Sequence, residues 1–169
     1  MKIVSTFAPR LFSFKFDETA DELTRLYEFW TDTERLFEYF TENLNLLEFA
    51  GISLEAAVLE TIDNADYLYE LLDRNKEKLD ALFKPLSETF INRILPKQKT
   101  KRKWLRLYAI KIENNCYVIT GGAIKQSETM QGHPDTAKEL EKLEKCRNYL
   151  ISEGIFDNDS LVDFMRFDI

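Results

Sequence analysis

Leu105-Arg-Leu-Tyr-Ala-Ile-Lys-Ile-Glu-Asn-Asn-Cys-Tyr-Val-Ile-Thr-Gly-Gly-Ala-Ile-Lys125 is the stretch that decides the fold. Two runs rich in β-branched and aromatic residues, Leu105 to Ile112 and Cys116 to Lys125, flank Glu113-Asn114-Asn115. Such runs fit a pleated surface, and asparagine tolerates the positive φ of a tight turn. The spacing predicts an antiparallel hairpin. In its second strand Cys116, Val118, Thr120, Gly122 and Ile124 would share one face. Tyr117, Ile119, Gly121, Ala123 and Lys125 would share the other. Gly121-Gly122 inside a strand marks a bulge or a close approach of backbone.

Upstream of the hairpin the charge changes sign. From Thr89 to Ile112 there is no Asp or Glu, while Arg93, Lys97, Lys99, Lys101, Arg102, Lys103, Arg106 and Lys111 give a local charge of +8. The whole chain carries −7, so the remainder carries −15. A concentrated positive surface attracts phosphate backbones, and an acidic remainder limits indiscriminate binding.

The N-terminal half reads as helical after a short β start. Met1 to Phe16 alternates loosely and suggests one or two strands broken at Pro9. Thr19-Ala-Asp-Glu22 and Thr31-Asp-Thr-Glu34 read as capping boxes, in which hydroxyl and carboxylate each satisfy a free backbone N–H. They open two helices with apolar stripes running from Leu23 to Leu47, an αα-hairpin. Gly51 ends it. Ser53 would cap a short helix through Thr61, and Asp63 another through about Lys84. Phe90 to Pro96 suggests a short strand. Thr136-Ala-Lys-Glu139 reads as a third capping box, Gly154 as a helix stop, and Ser160-Leu-Val-Asp163 as the start of a final helix. The expected class is α+β: one domain over residues 1–169, with a small antiparallel sheet, an N-terminal helical hairpin, a helical insertion at about 51–86 and C-terminal helices. The insertion reads either as an added layer on the core or as a partner-binding groove.

Several chemistries lack their signatures. There is no phosphate loop, dinucleotide glycine fingerprint, paired-cysteine zinc site or nucleophile elbow. A single histidine, His133, leaves no multi-histidine metal site, so neither metal nor cofactor is expected. Cys116 and Cys146 lack metal-like spacing and read as buried free thiols. No apolar run reaches the ~18 residues of a membrane helix, and Met1 to Arg10 lacks a signal peptide's pattern. The expected setting is the reducing cytoplasm, away from membranes.

The segment Arg106-Leu-Tyr108, a turn, Val118-Ile-Thr-Gly-Gly-Ala-Ile-Lys125-Gln-Ser127-Glu-Thr129 and a following helix resembles the RelE/HigB superfamily of toxins from bacterial toxin–antitoxin modules, above all its phage-associated HigB-like branch. That branch shows an R-x-x-Y-like strand, a turn, and a strand ending in HGF-x-K-K-T-x-K-T. The resemblance spans Leu105 to Leu150 and extends more loosely over Met1 to Leu47. Gly51 to Leu86 has no counterpart in the short members. The family histidine before the glycine is Gly121 here, and the second basic residue after Lys125 is Gln126.

The resemblance implies a RelE-like fold and a metal-independent endoribonuclease that cuts mRNA on the ribosome and is held by a cognate antitoxin protein. Arg106 and Lys125 match the basic positions that would hold the scissile phosphate as catalytic residues. Ser127 and Thr129 would contact phosphate or base, and Tyr108 or His133 would donate a proton or a stacking surface. Lys101, Arg102 and Lys103 would bind substrate electrostatically. Blander readings stand beside these. Arg106 and Lys125 sit at strand ends, where solvated cations are common. Tyr108 fits the core and His133 a loop. The Lys97 to Lys103 run reads equally as a solvated loop, a ribosomal-RNA contact or an antitoxin docking site. The competing function is a non-catalytic member of the same fold that binds protein or nucleic acid, and a further one is a structural or regulatory protein whose helical insertion is the interaction surface.

Overall fold

The computed structural model describes residues 1–86, 95–125 and 134–167. Its centre is a six-stranded sheet of β1 (Lys2–Ser5), β2 (Leu11–Lys15), β3 (Lys84–Pro85), β4 (Lys97–Arg102), β5 (Leu105–Glu113) and β6 (Cys116–Ile124), in the order β1-β2-β6-β5-β4-β3. The expected hairpin is present as β5 and β6, antiparallel, with Asn115 at φ 58° in its turn. The sheet is larger than expected and not wholly antiparallel, because β2 runs parallel to β6. The Lys97 to Lys103 run, for which a solvated loop is one of the readings, forms strand β4 as far as Arg102, antiparallel to β5. The strand expected over Phe90 to Pro96 falls mainly outside the described residues.

Helices cover both faces. On one lie α1 (Glu22–Trp30), α2 (Thr33–Glu42), α3 (Leu44–Ala50) and α4 (Leu54–Arg74); on the other lie α5 (Pro134–Ser152) and α6 (Asn158–Phe167). Two cores result. Leu11, Leu105, Leu107, Tyr117 and Ile119 pack with Leu26, Trp30, Phe40 and Leu68 of the first layer. Phe14, Ile110, Cys116 and Val118 pack with Leu143, Cys146, Leu150 and Leu161 of the second. A strand buried on both sides reads as a continuous apolar run, and every residue of β6 is buried. Cys116 and Cys146 are free, and burial pushes both thiols up to about 12.

The capping boxes are displaced by one or two residues. Asp21 caps α1 by accepting from Thr24 N–H, and Asp32 caps α2 by accepting from Arg35 N–H. A carboxylate suits the positive end of a helix better than the threonine hydroxyl one or two residues earlier. Thr19 instead donates to Asp17. α5 starts at Pro134, which leaves Thr136 inside its first turn and frees Glu139 for another role. α6 starts two residues before Ser160, whose N–H donates to Asp157. Ser53 does cap α4, but that helix runs unbroken through Asp63, over 21 residues from Leu54 to Arg74. The insertion is therefore one long helix followed by a 3-10 turn at Leu79–Ala81 and strand β3. Val58, Ala65, Leu68 and Leu72 of α4 belong to the first core. Gly51 and Gly154 end α3 and α5 with φ of 67° and 70°.

The β5–β6 register slips once beside the glycines. Tyr108 pairs with Gly121 but Ala109 pairs with Ile119, so Thr120 is the extra residue of a bulge. The alternation expected along β6 is reversed beyond it. Val118 faces α5, whereas Gly122 and Ile124 face α1. Gly121, Ala123 and Lys125 thereby come to the α5 face, the one that carries Arg106 and Tyr108.

Candidate anion-binding site on the sheet

Two rungs of the sheet assemble the site. In one, Lys99 of β4 pairs with Tyr108 of β5, which pairs with Gly121 of β6. In the next, Lys101 pairs with Arg106, which pairs with Ala123. Residues directly opposite one another project from the same face. Lys125 follows Ala123 by two residues on that face, with its N–H bonded to Trp104 O at 2.6 Å. The face thus gathers Lys99, Lys101, Arg106 and Lys125 around Tyr108.

The electrostatics agree with the register. The ammonium of Lys99 titrates below its ordinary range, first because it is partly desolvated and then because Lys125, Arg106 and Lys101 crowd it with like charge. Among the described residues no carboxylate forms an ion pair with Lys99, Lys101 or Lys125. Arg106 donates to the carbonyls of Lys103 and Leu105, which fixes its guanidinium at the strand edge. Tyr108 is 3% exposed, and burial raises its phenol's pKa, with Arg106 opposing and Glu139 adding to the rise. Lysines that no described carboxylate pairs with, gathered on one face, form a site primed for an anion with several oxygens, as phosphate has.

Next to the cations stands a carboxylate. Glu139 of α5 reaches across to Gly121, and a Cβ there would lie 2.0 Å from its Oε2. Lys142 Nζ is 3.1 Å from Oε1 and 2.9 Å from Oε2, and it also bridges to Glu22, which pairs with Arg25. Oε2 is buried and receives no well-directed hydrogen bond. Burial holds the Glu139 carboxyl above its ordinary range, and Glu22 adds to this against the opposing pull of Lys142 and Arg25. Glu139 also lines a cleft of about 340 Å³, walled by Arg25, Phe29, Tyr39, Gly122 and Ala123, so it meets solvent at the end of β6.

Of the sequence candidates, Lys101, Arg106, Tyr108 and Lys125 are brought together. Arg102 and Lys103 are not. Arg102 lies over the Tyr67 ring at 4.3 Å, and Lys103 pairs with Glu60 at 3.0 Å, both on α4. A strand sends neighbouring residues to opposite faces, which separates Arg102 from Lys101, and Lys103 lies past the end of β4 in a turn, with φ of 51°, so the three do not act as one patch. Ser127, Thr129 and His133 lie outside the described residues. Lys99 and Glu139 were not singled out by the sequence. Lys97, Lys99 and Lys101 recur at every second position, a strand period that signals Lys99. Nothing local marks Glu139, whose position depends on the packing of α5.

Among the described residues no group of His, Cys, Asp and Glu gathers to hold a metal ion, and no helix is long and apolar enough to cross a membrane. The fold and site define a mixed α+β protein with a cationic sheet face. No protein-family model, curated protein or solved structure matches the chain.

Proposed function

We propose that this protein is a RelE/HigB-like toxin component that binds mRNA through the β4–β5–β6 face and cleaves it in the cytoplasm, in association with the ribosome and under control of a cognate antitoxin. The observation that carries this reading is the gathering of Lys99, Lys101, Arg106 and Lys125 on one face, where no described carboxylate pairs with the three lysines. Cleavage needs a 2′-hydroxyl deprotonated, charge stabilised on a pentacovalent phosphate and a 5′-oxygen protonated. Arg106 and Lys125 are the cations assigned to the phosphate, and the succession of helical hairpin, strand, hairpin and helix supports the kinship.

A second reading has its own observation. Gly121 stands where the family carries a histidine, so the same face would bind an RNA or an acidic partner without cutting it. Induced expression separates the two. Growth arrest with shortened transcripts, both relieved by Arg106→Ala or Lys125→Ala, supports the nuclease. Unimpaired growth and intact transcripts leave the binder.

A further inference from the structure

The geometry points to Glu139 as the proton acceptor of this site, working with Lys99 as the proton donor across the sheet rung that holds Tyr108. This rests on the nuclease reading and adds to it a pair of groups that moves the protons.

The rung supplies the argument. Lys99, Tyr108 and Gly121 are direct neighbours on three successive strands, and the Glu139 carboxylate sits over Gly121. Strands are ~4.8 Å apart, so Lys99 and Gly121 are on the order of 10 Å apart, a span that a phosphodiester and its flanking sugars can bridge. The phosphate-holding cations occupy the next rung, Lys101 and Arg106, with Lys125 beyond. An acid and a base therefore flank the place where the anion would sit.

The environments fit those roles. Burial raises the Glu139 carboxyl towards neutrality, and partial burial with three neighbouring cations lowers the Lys99 ammonium towards neutrality. A carboxylate made more basic and an ammonium made more acidic are what proton transfer near neutral pH requires. Oε2 lies buried beside Gly121, 2.9 Å from Lys142 Nζ and without a well-directed hydrogen bond, and the residue lines the cleft at the end of β6. The charged or titratable groups facing the carboxylate are Glu22 and Arg25 from α1, Lys142 and Cys146 from α5 and Tyr108 from β5.

The step balances without a further reactant. The 2′-hydroxyl gives its proton to Glu139 while its oxygen bonds to phosphorus. The bond from phosphorus to the 5′-oxygen breaks, and that oxygen takes a proton from Lys99. The products are a 2′,3′-cyclic phosphate and a 5′-hydroxyl, and solvent returns each group to its starting state.

The test is the pH–rate profile of single-turnover cleavage of a short RNA by the full chain, with and without purified ribosomes. For wild type, the rate is expected to rise with pH along an acid limb as Glu139 ionises. Glu139→Gln, nearly isosteric, is expected to lose about a hundredfold or more in rate and to lose that limb while still binding RNA. Lys142→Met removes a cation that lowers the Glu139 pKa, so its acid limb is expected at higher pH. A merely structural carboxylate would not move the limb. If wild type cleaves and Glu139→Gln keeps its rate and its limb, the assignment of Glu139 is wrong and the nuclease reading survives. If wild type binds RNA and cleaves none under either condition, the nuclease reading and this inference fall together.

Discussion

The Glu139 carboxylate occupies the space that a side chain on Gly121 would need, with Oε2 2.0 Å from the site of a Cβ. The adjacent Gly122 is closed for a different reason. A Cβ there would meet Arg106 O at 2.6 Å and Leu26 Cδ1 at 2.9 Å. The two glycines therefore respond differently to the same methyl group. In Gly121→Ala the obstructing atoms belong to the flexible ends of Glu139 and Lys142, which can swing away. Stability should fall by less than about 1 kcal/mol, and cleavage should fall with the displaced carboxylate. In Gly122→Ala the obstacle is the backbone of β5 and a packed core, so about 1–3 kcal/mol should be lost. Urea unfolding of both variants checks the order, and the reverse order would contradict the geometry.

Lys99 sets up a pH dependence whose sign is fixed by its surroundings. Its ammonium titrates below the ordinary lysine value of 10.5 in the fold. Between the two values the unfolded chain holds more protons, so this group makes stability rise with pH across that window. Below the window both states carry the charge and the fold bears the full repulsion. Lys99→Met should therefore be neutral or stabilising at pH 7. Added inorganic phosphate should stabilise wild type more than the variant, because a bound anion relieves the crowding. Thermal or urea unfolding at pH 7 with and without phosphate reads both effects. Equal phosphate effects on the two proteins would remove Lys99 from the site.

Much of this arrangement is local and so legible in the chain. The alternation of Leu105 to Ile112 and the asparagine turn specify the hairpin, because strand period and turn chemistry act over few residues. Arg106, Tyr108 and Lys125 follow from it. The displaced helix starts arise because a Thr stands two residues before Asp21 and one before Asp32, and pattern alone does not say which residue accepts the bond. The face of Lys125 depends on one extra residue, Thr120. A single bulge reverses every later position in the strand, and two adjacent glycines do not reveal where it falls. Glu139 over Gly121 is purely tertiary, since α5 and β6 meet only when the second core closes.

The opposite faces of β4 lead to a separable prediction for binding. Lys99, Lys101, Arg106 and Lys125 should each contribute one phosphate contact. Neutralising any one should lower the log–log salt slope of RNA binding by ~0.7 for a single strand. Arg102→Gln and Lys103→Gln should leave the slope unchanged, since Arg102 stacks on Tyr67 and Lys103 pairs with Glu60. Equal losses from all six would mean that the run acts as a diffuse charge and not through a face of the sheet.

Asp80 offers a test of the fold that does not depend on function. Its Oδ1 accepts from the Tyr117 hydroxyl at 2.6 Å and Asn115 N–H at 3.0 Å, and lies 3.4 Å from Lys111 Nζ. Asn115 Oδ1 in turn accepts from Asp80 N–H at 2.9 Å. These contacts tie the 3-10 turn after α4 to the β5–β6 hairpin. Partial burial works against the charge on Asp80, but the three donors outweigh it and hold the carboxyl below its ordinary value of 3.8. Stability from a depressed carboxyl is present above the unfolded value and is lost as pH falls through the folded one. Tyr117 is 1% exposed and stacks on Phe83 at 4.4 Å, so removing Asp80 leaves a largely buried hydroxyl without its acceptor. Asp80→Ala should cost about 1–3 kcal/mol at pH 7. Asp80→Asn keeps an acceptor oxygen and should cost less. The gap between wild type and Asp80→Ala should narrow as pH falls below 3.8, when wild type loses the charge as well. Urea unfolding of the three proteins from pH 7 to pH 3 measures it, and a gap that stayed constant would show that the charge on Asp80 does not hold this corner together.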